Sequence, residues 1–241
     1  MTLKKSILST LCLTVSLIAF AESKVLKITK QIEAIEASAG VNVIYKPTTG
    51  ENTNVTISGD AKRIEFIDVK VSGKTLEIQP KHNWKSSNKK INGVTVTVST
   101  PIVCSVEASS GATVKCTNPI SSSKKKISLE ASSAGRIVFA SLTAAKLDIE
   151  ASSGASVITG NLNASHIELE ASSGASVKIA AIKAERISCE ASSAGSISIT
   201  SGQADRGDFE ASSAGSIKAP ALKVNRSTVE KSSAGSIKVA N

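Results

Sequence analysis

From residue 101 onward, apolar and polar positions return with one long period. Glu-Ala-Ser-Ser starts at Glu107, Glu130, Glu150, Glu170, Glu190 and Glu210, and the variant Glu230-Lys231-Ser232-Ser233 follows. After a first step of 23 residues, every step is 20. The residue before each Glu is apolar (Val106, Leu129, Ile149, Leu169, Cys189, Phe209, Val229), and so, in the earlier units, is the third residue before it (Cys104, Ile127, Leu147, Ile167, Ile187). Ala follows the Glu until Lys231. This is period-two alternation, the pattern of a strand with one buried face. Seven residues after the Glu stands a further apolar column, Val114, Ile137, Val157, Val177, Ile197, Ile217 and Ile237. Nine after it stand Cys116, Phe139, Ile179, Ile199 and Val239, with Thr159 as a polar exception.

Ser-Ser-Gly-Ala or Ser-Ser-Ala-Gly separates these stretches. Gly admits positive φ and Ser bonds to nearby backbone, so the segment predicts a turn. Recurrent β-branched residues and Ser-Gly breaks disfavour helix. A unit of twenty with two or three short strands and their turns makes one coil of a solenoid. A single coil cannot bury its apolar face alone, whereas stacked coils can. The expected fold is therefore all-β: a right-handed parallel β-helix of about 20 residues per coil over 101–241, preceded by an irregular β-rich part over 22–100. A leucine-rich repeat, the alternative for units of this length, would need an Asn column and Leu-x-Leu, which are missing.

Within 22–100, Val41–Tyr45, Asn54–Ser58, Phe66–Val71, Thr75–Gln79 and Val94–Val98 read as strands. Glu36-Ala37-Ser38-Ala39-Gly40 is an isolated relative of the repeat motif. Pro80 to Lys90 reads as a loop in which Lys81, Lys85, Lys89 and Lys90 surround Trp84, a candidate contact for a sugar ring or an acidic surface.

Composition adds a constraint on the core. Aromatics make up 2% of the chain against 41% hydrophobic residues, so the core must be a thin one of Val, Ile, Leu and Ala. Lys4 and Lys5, the uncharged run Ile7–Phe20 and Ala19-Phe20-Ala21 predict a signal peptide over 1–21. Cleavage there takes the net charge from +9 to +7. Localisation is then the periplasm, the cell surface or the medium. Cys104, Cys116 and Cys189 fall at inward positions, where free thiols pack as small hydrophobes; a Cys104–Cys116 bridge is the oxidised alternative.

Outward positions form columns too. Four residues before each Glu lies a basic column, Lys126, Lys146, His166, Arg186, Arg206 and Arg226, a candidate track for an anionic glycan or another envelope component. The Glu residues form an acidic column. Asp148, Glu168 and Asp208 share a third, which supplies the paired carboxylates a glycosidase needs. Those acids recur at framework positions, sugar-stacking aromatics are scarce, and no Gly-x-Ser-x-Gly elbow occurs. No cofactor, metal or nucleic-acid motif is present, and the chain is read as not an enzyme.

The signal peptide, Ala39-Gly40-Val41-Asn42-Val43, Ile57-Ser58-Gly59-Asp60, Gly73-Lys74-Thr75-Leu76-Glu77-Ile78 and the Ser-Ser-Gly coils together resemble the putative auto-transporter adhesin head GIN domain family, common in Bacteroidetes. The resemblance runs from about residue 25 to 241. It implies an exported β-helical envelope module, adhesin-like or structural, and brings no catalytic residues. No autotransporter barrel follows the repeats in this sequence. The alternatives are a binder of anionic glycan or lipopolysaccharide and a polysaccharide-active enzyme.

Overall fold

The computed structural model describes residues 22–81 and 91–240. The expected signal peptide and the loop carrying Trp84 lie outside the described residues.

The repeats stack as the twenty-residue period requires. Strands β10 (Ile120–Ala131), β11 (Arg136–Ala151), β12 (Ser156–Ala171), β13 (Ser176–Ala191) and β14 (Ser196–Ala211) pair in parallel and in register. Val157 lies beside Ile137 and Val177, and Leu169 beside Ile149 and Cys189. The last coil is divided into β15 (Ser216–Ala219) and β16 (Leu222–Lys231), parted at Pro220, with β17 (Ser236–Val239) stacked on β15. Each full coil is thus one sixteen-residue strand, where the sequence predicted two or three short ones. The ladder carries on round most of the circuit. It lapses ten residues before the Glu, at Ala140, Gly160, Ala180 and Thr200, and again at the bend five residues before it, at Ala145, Ser165, Glu185 and Asp205, and stops outright only at the Ser-Ser turn.

That turn needs two successive left-handed residues. Ser153 and Gly154 have φ of 52° and 72°. In the Ser-Ser-Ala-Gly version Ser193 and Ala194 take φ of 49° and 62°, at a cost of ~1–2 kcal/mol for each non-glycine residue. The Ala194 N–H donates to the Ser213 carbonyl of the next coil at 3.0 Å. In this version glycine moves to the next position for space. A Cβ on Gly195 would stand 2.1 Å from the Ala171 carbonyl oxygen.

Inward columns form a narrow core in which Ile137, Val157, Val177, Ile197 and Ile217 are fully buried. Each such side chain contributes ~1.5–3 kcal/mol relative to exposure. Volume is balanced locally. Where Phe209 replaces the Cys189 of the coil before, Gly207 replaces Ile187. A Cβ at Gly207 would meet the Phe209 ring at 2.6 Å.

The first hundred residues extend the same stack, but not in chain order. Strands β1 (Glu22–Ile28), β2 (Ala34–Ala37), β3 (Asn42–Pro47), β4 (Thr53–Gly59), β5 (Ile67–Ser72), β6 (Thr75–Pro80), β7 (Thr95–Thr100), β8 (Ser105–Ala108) and β9 (Thr113–Cys116) complete the sheet. β2 lies between β6 and β8, so Glu36 pairs with both Glu77 and Glu107. β3 lies between β7 and β9. The isolated motif at Glu36 is therefore a rung of the same ladder. Beyond it the direction reverses. β4 runs antiparallel to β7, β1 to β4, and β5 to β6, and together they close this end of the rod. A short helix, α1 (Ala61–Ile64), joins β4 to β5, with the Asp60 carboxylate accepting from the Lys62 N–H. β1, β2 and α1 were not foreseen from the sequence.

Tyr45 ties the two parts together. It is fully buried; its hydroxyl donates to the Pro101 carbonyl at 3.1 Å and accepts from the Val103 N–H at 3.2 Å. Its ring lies 6.3 Å from that of Phe139, and small Cys116 occupies the strand between them. Burial pushes the Tyr45 hydroxyl well above its ordinary pKa.

Candidate functional site

The rod presents three parallel tracks: two of charge and one of shape. The basic column forms in full. Lys126, Lys146, His166, Arg186, Arg206 and Arg226 are successive register partners along the stack. Its charge is largely spent. Lys126 pairs with Asp148 at 2.5 Å, Lys146 with Glu168 at 2.9 Å and Arg186 with Asp208 at 2.7 Å. Each bond joins a basic residue to the acid 22 positions later, one coil on and two residues along. Lys146 also reaches Asp148 at 3.2 Å, and its hydrogen bonds to Glu168 and Asp148 raise its pKa. The diagonal partners of His166 and Arg206 are Ser188 and Thr228. Among the described residues His166, Arg206 and Arg226 form no ion pair. Candidate Trp84 lies outside the described residues.

The acidic column has nine rungs in the order Glu77, Glu36, Glu107, Glu130, Glu150, Glu170, Glu190, Glu210, Glu230. Partial burial, then repulsion from Glu36 and Glu130, raises the pKa of Glu107. Burial and then Glu150 and Glu190 do the same for Glu170. Among the described residues no group of three or more His, Cys, Asp or Glu is placed to hold a metal ion.

The third track is a groove of about 620 Å³ at the bend where the ladder lapses. Ala144, Ala164, Ala184 and Ala204 line it along its length. One wall carries Thr143, Asn163, Lys183, Gln203 and Lys223, and the other Ser165, Glu185, Asp205 and Asn225. The sequence held the signal for this groove. Alanine recurs six residues before four successive Glu positions, but a column of small residues, three of the four buried, looks like ordinary core.

Among the described residues the cysteines are free; Cys116 and Cys189 are buried and Cys104 is half-buried. Burial pushes the Cys116 thiol up to about 11.

Fold and tracks define a β-solenoid whose long faces repeat one chemical pattern coil by coil. The chain belongs to the family described as putative auto-transporter adhesin, head GIN domain, whose model matches residues 32–161 and 151–241. Three crystal structures share the fold. A putative adhesin from Bacteroides fragilis is 17% identical with a TM-score of 0.70, over 90% of this chain and 96% of that one. A putative adhesin from Parabacteroides distasonis is 15% identical with a TM-score of 0.68, over 92% and 97%. A putative lipid binding protein from the same species is 13% identical with a TM-score of 0.63, over 92% and 97%. No curated protein matches the chain. Among the described residues no helix is long and apolar enough to cross a membrane.

Proposed function

We propose that this protein is an exported, non-catalytic interaction module of the cell envelope, an adhesin-like rod that holds extended partners along its length. The observation that carries this reading is the exact stacking of outward columns, which offers a polymer the same contact at every rung. Family membership and the adhesin descriptions of two fold neighbours agree with it. The signal-peptide pattern supports export. The acids available for hydrolysis are engaged elsewhere: Asp148 by Lys126 and Lys146, and Asp208 by Arg186. The test is co-sedimentation of the purified protein with envelope fractions, together with an assay for released reducing sugar. Saturable retention without release is expected. Turnover, or no retention by any fraction, overturns the proposal.

One observation favours a second reading, an acidic partner at the far end. Residues 211–240 hold five basic side chains against the single acid Glu230, and Arg226 among them is unpaired. Anionic glycan or lipopolysaccharide held there would dissociate as salt rises. Replacing Arg206 and Arg226 by Ala would then abolish the retention.

A further inference from the structure

We propose that the groove at the bend binds a neutral, linear polysaccharide, with one sugar ring to about one rung; this rests on reading the protein as a binding rod. Direction comes first. The walls are built from equivalent residues of successive coils, so the groove runs across the strands and along the rod, for roughly 24 Å from Ser123 to Lys223 at the ~4.8 Å strand spacing. A peptide lying in it cannot add to the sheet as a strand, because strand addition needs the two chains side by side. An extended peptide also repeats its same-side groups every ~6.6 Å, out of step with rungs every ~4.8 Å. A linked pyranose unit is close to one rung long and keeps step.

Charge comes second. Lys183 and Lys223 on one wall stand against Glu185 and Asp205 on the other, so the charged lining sums to zero. Such a groove has no net attraction for a polyanion, unlike the unpaired Arg206 and Arg226 outside it. Of the remaining wall groups, Thr143, Asn163 and Gln203 both donate and accept hydrogen bonds, as sugar hydroxyls do, while Ser165 donates to Glu185 at 3.5 Å and Asn225 to Asp205 at 3.2 Å and keep their oxygens as acceptors. The alanines, small and mostly buried, leave the floor low enough for a ring to sit between the two walls. Among the described residues no aromatic side chain lines the groove, so affinity is summed over many weak contacts and grows with chain length.

The test is calorimetric titration of the purified protein with cellohexaose and chitohexaose, with cellobiose as the short probe and hexagalacturonate as the charged one. The exposed residues Asn163, Gln203 and Asn225 are replaced together by Ala, and Arg206 and Arg226 together by Ala in a second variant. Both are checked for native melting. A neutral hexamer is expected to bind equally at low and high salt, more tightly than cellobiose. It should bind about tenfold more weakly to the triple variant and unchanged to the arginine variant. Equal binding by the triple variant, or no binding of either neutral hexamer, overturns the groove assignment. So does a preference for hexagalacturonate that the arginine variant loses, which moves the ligand to the basic column. Continued retention by envelope fractions in those cases leaves the binding-rod reading standing; its loss as well sinks both.

Discussion

The coils from Glu107 onward and the segments before them build one ladder by different means. In the coils, each strand stacks on the strand made just before it, and neighbouring residues lie 20 apart in sequence. Before residue 100, β2 and β3 are enclosed between strands made later, and antiparallel β1, β4 and β5 close the end. Repetition suffices to extend a solenoid but not to finish one. At this end β4, β1 and β5 reverse direction and cover the row of N–H and C=O groups that would otherwise invite pairing with another chain. At the other end the inward column of Ala is interrupted by Lys231, a charge that discourages such pairing.

The largest effect is expected at Tyr45, which joins the two parts. Tyr45→Ala removes a buried ring and orphans the Val103 N–H, and should cost ~3–5 kcal/mol. Urea unfolding should show the whole rod destabilised; a loss confined to the capped end would mean that the parts fold independently. Next comes the turn within the coils. Gly195→Ala forces a Cβ against the Ala171 carbonyl, at an expected ~1–3 kcal/mol. Adding Ala194→Gly converts the turn to the Ser-Ser-Gly-Ala form seen at Gly154 and should restore most of the loss. Failure of that rescue would show that the two turn forms are not interchangeable between coils.

A smaller effect of opposite sign is expected at Thr159. Its hydroxyl is buried without a hydrogen-bond partner in the column that holds Phe139 and Ile179. Thr159→Val should stabilise by ~1 kcal/mol, read as a higher melting temperature. Smallest is the pH response of the acidic column. Glu107 and Glu170 have folded pKa values above those of the unfolded chain, so the folded state binds protons more readily. The penalty of burying their charge, with the repulsion along the column added to it, is fully felt above the raised folded values and vanishes below the ordinary carboxylate value. These two residues should therefore make the rod more stable as pH falls from neutral into the carboxylate range. Glu170→Gln should flatten that rise in a melting series; an unchanged slope would show that the column does not set it.

The coils were legible in the sequence because a period of 20 repeats one physical environment at each position, from Val157 to Ile217 as much as from Glu107 to Glu230. The capped end was legible only as strands. β1 reads as polar, since Lys24 and Lys27 stand on an exposed outer strand. The pairing of Glu36 with Glu77 was hidden because Gln79-Pro80 follows where the repeat would have Ser-Ser. Of the candidate site, the basic column was readable as a column. Its neutralisation was not, since it depends on a diagonal contact between coils. The groove depends on where the strand bends, which small residues permit but do not announce.

The enclosure of β2 has a consequence for the order in which the chain acquires structure. Residues 34–37 are synthesised before both of the strands that flank them, which arrive only with residues 75–78 and 105–108. The rung at Glu36 is complete only when a loop of some 70 residues has closed, from Glu36 to Glu107. Such closure is slow compared with a contact between neighbouring units. Each later coil needs only contact with the coil before it, 20 residues away, and adds without a second long closure.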